Sequence, residues 1–372
     1  MKNDILISKI NLVIDKLIHL GGADYGNDKL LPIEEIMKTG NCSRDFGIEE
    51  WDWPQGVGLY GIYKLQEYFG DNRYMDFFTE WLEKNLLIGL PSRNINTTAP
   101  YLTLISILDK MPEKEKYEKL CIDQADWLVN ELPKTKENGF QHVTTGIGDR
   151  NAVILNNSQL WLDTVFMTVL FLYKMAIRYK NKVWQQTAEY QIMLHIKYLY
   201  DKHTGLFYHG WSFDRNDNFG GIFWCRGNSW FTIGAIEFLL INKEISESLK
   251  EYILHTFKAQ VDYLKHLQLN SGLWTTVLDD DTSYEEASGS AAITAGILNA
   301  INHGYLDSTY EDCAEKALSG LVNCIADDGT VQKVSAGTAM GMNAIHYKEI
   351  QIKPMAYGQA LTLIALVEAL HR

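Results

Sequence analysis

A helical pattern that recurs along the chain limits its fold more than any other feature. Apolar residues at helical spacing surround residues 164–179 on nearly all sides, but lie on one face of residues 183–200. The first pattern is typical of a helix enclosed by its neighbours, and the second of an outer helix. Three more pairs are predicted, at residues 56–68 with 75–86, 230–240 with 245–266, and 291–303 with 310–325. Single helices are predicted at residues 5–20, 102–110, 115–131 and 358–371.

A loop that begins with glycine recurs between the helix pairs. It is found at Gly139, Gly205, Gly272 and Gly329, roughly 60 residues apart, and this spacing is typical of a helical-hairpin repeat. About six hairpins can close into an α/α toroid or continue as an open solenoid. We favour closure because the inner helices are apolar without an evident capping repeat, and because Trp, Tyr and His residues cluster in the loops. The prediction is an all-α chain that forms one domain over residues 1–372.

The balance of charge argues against a nucleic-acid partner. The chain carries 34 Lys and Arg against 47 Asp and Glu, a formal net charge of -13, whereas phosphate binding needs a basic face. Local cations would therefore have to bind any anionic substrate. No window is apolar and long enough to cross a bilayer, and residues 1–20 lack the apolar core of a signal peptide. We expect a soluble, cytoplasmic protein without a membrane partner.

The cysteines indicate a reducing compartment. Cys42, Cys121, Cys225, Cys313 and Cys324 are odd in number and lack close paired spacing, which fits buried thiols better than disulfides or a zinc site. The chain also lacks the HExxH, phosphate-loop and dinucleotide-binding motifs. We predict neither a metal nor a cofactor.

The run from Trp224 to Trp230 places Arg226 between two indoles at the start of an apolar helix. A guanidinium can fork onto a carboxylate while indoles cover the C–H faces of a sugar. The run therefore indicates a carbohydrate enzyme with an acidic substrate. The alternative is that Trp230 belongs to a helix core, that Trp224 packs under a loop, and that Arg226 pairs with a structural acid.

Asp163 lies between Trp161 and the start of a very apolar helix. A carboxyl group at the inner mouth of a toroid would lose hydration, which raises its pKa and suits it to act as a general acid. The alternative is a helix N-cap, a place that Asp also favours.

Polar loop residues provide further candidates for the site. His209, two residues before Trp211, could donate a hydrogen bond to a substrate, and His142 occupies the matching loop of an earlier repeat. Asn96 or Thr97 would cap the next helix, and Asn96 could also face the cavity.

Seven segments together resemble the unsaturated glucuronyl and rhamnogalacturonyl hydrolases of glycoside hydrolase families 88 and 105, and the rhamnogalacturonyl branch more closely. In order they are WPQGVGLYG at 53–61, NTTAP at 96–100, WLDT at 161–164 followed by FM at 166–167, HGW at 209–211, WCRGNSW at 224–230, SGSAA at 288–292 and YGQA at 357–360. The resemblance extends over most of the chain, and its specificity lies in the order and spacing of the segments.

The resemblance implies an (α/α)6 barrel and a hydrolase that removes a 4,5-unsaturated uronic acid from the non-reducing end of a lyase product. It implies that Asp163 protonates C4 of the double bond and then takes a proton from the water that adds at C5. Arg226 would bind the substrate carboxylate. The other substrate-binding positions would be Trp224 and Trp230 as walls of the subsite, with His209, Trp211, His142 and Asn96.

Asn96 departs from some glucuronyl relatives, which have a second aspartate there. An amide can orient water or a hydroxyl group but cannot serve as a base.

Two other classes of function remain open at the level of sequence. One is an ordinary glycosidase or a sugar epimerase on the same fold, since the fold alone does not fix the reaction. The other is a helical-repeat scaffold whose loop aromatics bind a protein. The sugar that follows the uronyl residue, its galacturonyl or glucuronyl origin, and the choice between a monomer and a small homo-oligomer also stay open.

Overall fold

The computed structural model describes residues 3–21, 47–146 and 149–372. Cys42 lies outside these ranges. In the described part the α-helices are, in chain order, α1 (Asn3–Ile18), α2 (Trp53–Phe69), α3 (Met75–Ile88), α4 (Ile95–Ile107), α5 (Lys114–Asn130), α6 (Leu170–Tyr179), α7 (Lys182–Leu199), α8 (Cys225–Ile241), α9 (Glu247–Leu267), α10 (Ala287–Asn302), α11 (Glu311–Asn323), α12 (Ala344–Lys348) and α13 (Ala356–Leu370). A π-helical turn, Val165–Val169, leads directly into α6.

Short strands lie in the connections between hairpins. They form three antiparallel pairs, β1 (Thr144–Gly146) with β2 (Asp149–Ile154), β3 (Gln159–Trp161) with β4 (Gly210–Ser212), and β5 (Trp274–Thr275) with β6 (Glu285–Glu286). Sequence periodicity did not reveal them because five of the six strands have only two or three residues, too few for a measurable alternation, and the six-residue β2 does not alternate apolar with polar residues.

The inner helices form a closed ring. Each packs against the next in the order α2, α4, α6, α8, α10, α13, and α13 packs back against α2. Outside this ring α1 packs on α13, α5 on α4, α7 on α6, α9 on α8 and α11 on α10. The predicted all-α (α/α)6 barrel is confirmed. Its inner helices are apolar on all sides because each is covered by two inner neighbours and an outer helix.

The recurring loop glycines fit each hairpin onto the following one. Gly205, Gly272 and Gly329 all have positive φ, and a Cβ at these positions would lie 2.6, 2.0 and 2.1 Å from backbone oxygens of α9, α11 and α1 respectively. Only glycine combines this conformation with so close an approach. The last of these contacts identifies α1 as the outer helix that follows α11 around the ring.

Two inner helices begin earlier than the sequence pattern predicts. Helix α4 starts at Ile95 instead of residue 102, because Asn94 accepts hydrogen bonds from the amides of Asn96 and Thr97 in a capping box. The predicted caps, Asn96 and Thr97, are thus wrong. Helix α8 starts at Cys225 instead of residue 230, so the run from Trp224 to Trp230 forms its first two turns.

The two ends of the ring differ in chemistry. The inner helices begin at the end that carries Asp163, Arg226 and Asn96. At the other end their last turns line a cavity of about 870 Å³. There the Lys64 ammonium lies 3.3 Å from a carboxylate oxygen of Glu237 and 3.3 Å from one of Glu368.

Candidate active site

Strand pairing brings Asp163 and His209 together. In the register of β3 and β4, Trp161 faces Gly210, and the Leu162 amide donates to the His209 carbonyl oxygen at 3.0 Å. The side chains that flank this pair of strands therefore lie side by side. His209 Nε2 is 3.2 Å from Asp163 Oδ2.

The two side chains differ in their access to solvent. The Asp163 side chain is 18% exposed and that of His209 only 2%. Their contact is short, but neither Nε2 nor Oδ2 takes part in a well-aligned hydrogen bond with any described residue. Both atoms are buried, so the exposed fraction of Asp163 belongs to the rest of its side chain.

Asp163 does not serve as a helix cap. The π-helical turn begins at Val165 with Thr164 in the cap position, and no side chain caps it. By contrast, Asp52 accepts from the Trp53 amide and Glu286 accepts from the amides at the start of α10. The Asp163 carboxylate contacts its own amide and His209 instead of the amides of the following turn.

The pKa of the Asp163 carboxyl lies below its ordinary value. Burial raises this pKa, but the charge of a protonated His209 and its contact with the carboxylate lower it, and His142 lowers it further. This corrects the expected rise, which considered burial alone.

His142 and Trp161 form one side of the Asp163–His209 pair. The His142 ring stacks on Trp161 with centroids 4.2 Å apart, and Trp161 meets His209 edge to face at 5.3 Å. His142 Nδ1 lies 3.0 Å from Thr164 Oγ1. Burial lowers the pKa of His142 to about 3, so this ring is neutral at physiological pH. Trp161 was within a predicted motif but was not recognised as a site residue.

Buried polar atoms without a partner cluster at this end of the barrel. Within the described residues they include Asp163 Oδ2, His209 Nε2, Trp224 Nε1, Arg226 Nε and Trp230 Nε1. Buried polar atoms in folded proteins nearly always have a partner. Such a cluster is expected where a polar ligand completes the hydrogen bonding.

The Arg226 guanidinium is buried beside backbone carbonyl oxygens. Its side chain is 1% exposed, Nη1 donates to the Ser335 carbonyl oxygen at 2.8 Å, and Nη2 donates to that of Ala336 at 2.7 Å. The Glu286 carboxylate lies 3.8 Å away. Nη1 and Nη2 each have a partner, but Nε has none among the described residues, so the edge formed by Nε and Nη2 is not filled. The nearby Glu286 carboxylate fits the alternative of a structural acid, and the binding of a substrate carboxylate by Arg226 stays a prediction.

The two tryptophans of the run, Trp224 and Trp230, lie in different surroundings. Trp224 lies under His209, with ring centroids 4.5 Å apart. Trp230 is fully buried behind Trp53, which meets it edge to face at 6.2 Å and stacks on Tyr357 at 4.5 Å. Trp230 therefore packs in the core beside the partly exposed Trp53, and the roles of Trp224 and Trp230 as walls of the subsite stay predictions.

Trp211 pairs with Leu160 in the register of β3 and β4. Its ring packs against Tyr198 at 5.3 Å and Phe213 at 6.4 Å. The contact of Trp211 with substrate stays a prediction.

Asn96 lies in the first turn of α4, where it is 8% exposed. Because Asn94 supplies the cap, the Asn96 amide group is not used in capping. The Thr168 hydroxyl donates to the Ile95 carbonyl oxygen at 3.2 Å, which holds this turn against the π-helical turn that follows Asp163.

Arg150 is a cation that the sequence analysis missed. It lies on β2, where its carbonyl oxygen accepts from the Ser92 amide next to the start of α4. Its Nε and Nη2 are buried without a hydrogen-bond partner in the described part of the chain. These two nitrogens form one edge of the guanidinium, the edge that can bind a carboxylate through two hydrogen bonds. An arginine in a polar hairpin gives no periodic signal, so only its burial identifies it.

The described ranges contain no group of three or more His, Cys, Asp or Glu side chains that could hold a metal ion. Within the same ranges no helix has the length and hydropathy needed to span a membrane.

The sequence profile of glycosyl hydrolase family 88 matches residues 34–372. The chain belongs to this family. It is therefore a glycoside hydrolase, and the scaffold alternative is excluded.

Individual relatives agree with this assignment. The chain is 30% identical, over 91% of its length and 94% of the relative, to the unsaturated rhamnogalacturonyl hydrolase YesR of Bacillus subtilis. It is also similar to a solved structure described as a possible GH105 member from Salmonella enterica, with a TM-score of 0.89 and 34% identity over 100% of this chain and 94% of that one. The unsaturated glucuronyl hydrolase of Bacillus sp. GL1 shares the fold alone, with a TM-score of 0.70 and 17% identity over 99% and 97% of the two chains.

Proposed function

We propose that this family 88 hydrolase releases a 4,5-unsaturated uronic acid from the non-reducing end of lyase-generated oligosaccharides, with an unsaturated rhamnogalacturonan disaccharide as substrate. The observation that carries the proposal is the Asp163 carboxylate, which does not cap a helix, is partly exposed to solvent and lies 3.2 Å from His209. The names of the relatives support the choice of substrate.

In the proposed reaction Asp163 acts first as an acid. It donates its proton to C4 of the C4=C5 double bond, and the positive charge that develops at C5 is shared with the ring oxygen. Substrate binding expels water from around Asp163. Because desolvation disfavours a carboxylate more than a neutral carboxyl group, this favours the protonated form of Asp163.

Asp163 then acts as a base. As a carboxylate it takes a proton from the water molecule that adds at C5, which restores the acid. The product is a hemiketal, which collapses and expels the next sugar. One carboxyl group thus returns to its starting state in each cycle.

The buried carboxylates nearby support a reaction with one catalytic acid. Ordinary glycosidases need two carboxyl groups across the scissile bond. At this end of the barrel Glu286 is fully buried, caps α10 and accepts from the Ser335 amide at 2.9 Å. Asn96, which has no ionisable group, stands in the first turn of α4.

We assign the binding of the substrate carboxylate to Arg150 in place of Arg226. The support is that Nε and Nη2 of Arg150 are buried without a partner in the described ranges, on a strand whose backbone bonds to Ser92 next to the start of α4. The stacked His142 and Trp161 rings, with Trp53, would contact the sugar faces, and His209 would hydrogen-bond a sugar hydroxyl.

We also propose that the enzyme works in the cytoplasm as a single-domain monomer or small homo-oligomer. The support is that the cysteines of the described ranges, Cys121, Cys225, Cys313 and Cys324, are buried free thiols, as is usual in a reducing compartment. The strongly negative net charge gives no support for a nucleic-acid partner.

Ultraviolet absorbance tests the reaction directly, because hydration of the C4=C5 bond removes the conjugated chromophore. A panel of lyase-generated unsaturated disaccharides would be incubated with the enzyme, and the rhamnogalacturonan product is expected to lose absorbance fastest. Absorbance that stays constant with every member of the panel would contradict the proposal.

The Asp163→Asn variant tests the role of the acid. Turnover is expected to fall by about 10²–10⁴-fold, while circular dichroism and the melting temperature stay close to those of the parent. Asp126→Asn is the matched control, since Asp126 pairs with Trp184 on the outer helices. Full activity of Asp163→Asn would assign the acid to another residue.

A further inference from the structure

Tyr347 closes the side of His209 that faces away from Asp163. Its hydroxyl oxygen lies 2.8 Å from His209 Nδ1, and its ring is 5.4 Å from that of Trp224. Tyr347 is on α12, the short helix that follows the segment held by Arg226, and it is 1% exposed.

The hydrogen bonds around the Tyr347 hydroxyl leave one direction for its proton. The Gly341 amide donates to the Tyr347 oxygen at 3.0 Å, so the hydroxyl hydrogen must be donated elsewhere. Two acceptors are within reach, His209 Nδ1 at 2.8 Å and the Met340 sulfur at 3.8 Å. A thioether is a weak acceptor, and 2.8 Å is an ordinary hydrogen-bond length. Burial raises the pKa of Tyr347, so the hydroxyl keeps its proton.

The histidine tautomer follows from this network. A nitrogen that accepts a hydrogen bond carries no proton, so a neutral His209 has its hydrogen on Nε2. Nε2 is the atom that lies 3.2 Å from Asp163 Oδ2. We infer that Tyr347 is a positioning residue, which holds His209 in the neutral Nε2–H tautomer and so aims one N–H group at the catalytic carboxyl of Asp163.

This arrangement favours the charged form of Asp163, because a hydrogen bond donated to a carboxylate stabilises it. After proton transfer to C4 the same N–H group stabilises the carboxylate that forms. The inference therefore rests on the proposed function for its catalytic consequence, although the tautomer itself is a property of the free enzyme.

Other ionisable groups surround His209. His142 precedes β1, and Asp163 follows β3. His346 precedes Tyr347 on α12. Arg226 lies behind Trp224, with its guanidinium carbon 4.5 Å from that ring. Burial lowers the pKa of His346 as well as that of His142. A change in the pH profile on loss of the Tyr347 hydroxyl is therefore to be read through Asp163 and His209.

Nitrogen-15 NMR of the histidine side chains tests the tautomer without any substrate. The His209 signals are assigned by their loss in His209→Gln, and in the parent enzyme we expect hydrogen on Nε2 and an unprotonated Nδ1. In Tyr347→Phe the Nδ1–H tautomer should become populated. A parent enzyme with hydrogen on Nδ1 would overturn the inference, whatever the enzyme's substrate proves to be.

Kinetics of Tyr347→Phe test the consequence. We expect kcat to fall about tenfold, as for the loss of one hydrogen bond of about 1.4 kcal/mol, with KM changed less than twofold. The basic limb of the kcat profile should move to higher pH, because a carboxylate that loses a donor has a higher pKa. Tyr117→Phe is the matched control, since its buried hydroxyl binds Glu83 on the outer helices. A folded Tyr347→Phe variant with unchanged kcat and pH profile would contradict the positioning role, and so would a rise in KM alone.

Discussion

Arg226 illustrates how the same residue pattern can serve binding or packing. Its guanidinium is surrounded by the carbonyl oxygens of Ser335 and Ala336, the Glu286 carboxylate and the Trp224 ring. The sequence showed an arginine between two indoles, which suits a sugar carboxylate equally well. The hydrogen bonds of its two terminal nitrogens with residues 109 and 110 positions further along are tertiary and have no local signal.

The Arg226→Lys variant should therefore lose stability more than substrate affinity. An ammonium cannot reach both carbonyl oxygens, and the lost charge-assisted hydrogen bond lowers the free energy of unfolding by about 1.5–3 kcal/mol. Urea unfolding measures this loss, and KM is expected to stay within about threefold of the parent value. A large rise in KM at unchanged stability would restore the substrate role to Arg226.

Arg150→Gln should show the opposite behaviour. Loss of a bidentate contact with the substrate carboxylate is expected to raise KM about tenfold or more, with little change in the melting temperature. The comparison is Arg73→Gln, since Arg73 pairs with Asp71 at the other end of the barrel. If both variants have the parent KM, Arg150 does not contact the substrate.

The loops between elements fix where the site residues point. The Asn94 side chain caps α4 and donates to Thr145 Oγ1 on β1 at 3.0 Å, so one residue joins the inner helix to the β1–β2 hairpin. This junction carries both Asn96 and Arg150. The outer helix α7 has a cap of the same type at Asn181, which joins no second element.

Removing the two caps should separate stability from activity. Asn94→Ala and Asn181→Ala are each expected to lower the free energy of unfolding by about 1–2 kcal/mol, as measured by urea unfolding. Only Asn94→Ala should also raise KM, because the hairpin that carries Arg150 loses its attachment to α4. Equal KM values for the two variants would show that the junction does not position the site.

The helices could be predicted from the sequence, whereas side-chain direction could not. Long apolar periodicity identifies hairpin helices such as α3 and α7, and Asp163 is visible as an acid at the start of an apolar run. The catalytic role of Asp163 and the substrate contact of Trp211 stay predictions, because the direction of a side chain depends on tertiary contacts such as those of Trp211 with Tyr198 and Phe213. The single-domain organisation stays a prediction.

At the scale of the whole molecule, the end opposite Asp163 contains a buried ion network. Lys64 bridges Glu237 and Glu368, and the Tyr60 hydroxyl donates to Glu237 at 2.6 Å. Burial raises the pKa of Glu237, but Lys64 and the Tyr60 hydrogen bond together lower it by more than burial raises it. The pKa of Glu237 is therefore below its ordinary value. Burial lowers the pKa of Lys64, and the two carboxylates raise it above its ordinary value.

The network predicts acid lability. A carboxyl group with a lowered folded-state pKa stabilises the fold above its unfolded pKa, which is about 4.3 for Glu, and this contribution disappears as the pH falls below that value. The free energy of unfolding should therefore decrease from about pH 5 downwards. Lys64→Met leaves two buried carboxylates unpaired, and should destabilise the fold by about 3–5 kcal/mol at pH 7 but less at pH 4. A destabilisation that is constant with pH would show that the network does not behave as a coupled charge cluster.

The hydrogen bonds between Arg226 and the segment at Ser335 bear on the order in which the site forms during folding. Two of the contacts that shape the site, Arg226 with Ser335 and His209 with Tyr347, join residues 109 and 138 positions apart. Contacts between distant residues form late, and a chain emerges from the ribosome with its N-terminal part first. A nascent chain can therefore hold Asp163 and His209 side by side before these two distant contacts have formed. Catalytic activity is then among the last properties that the molecule acquires. The onset of activity during refolding would report the formation of its final hairpin.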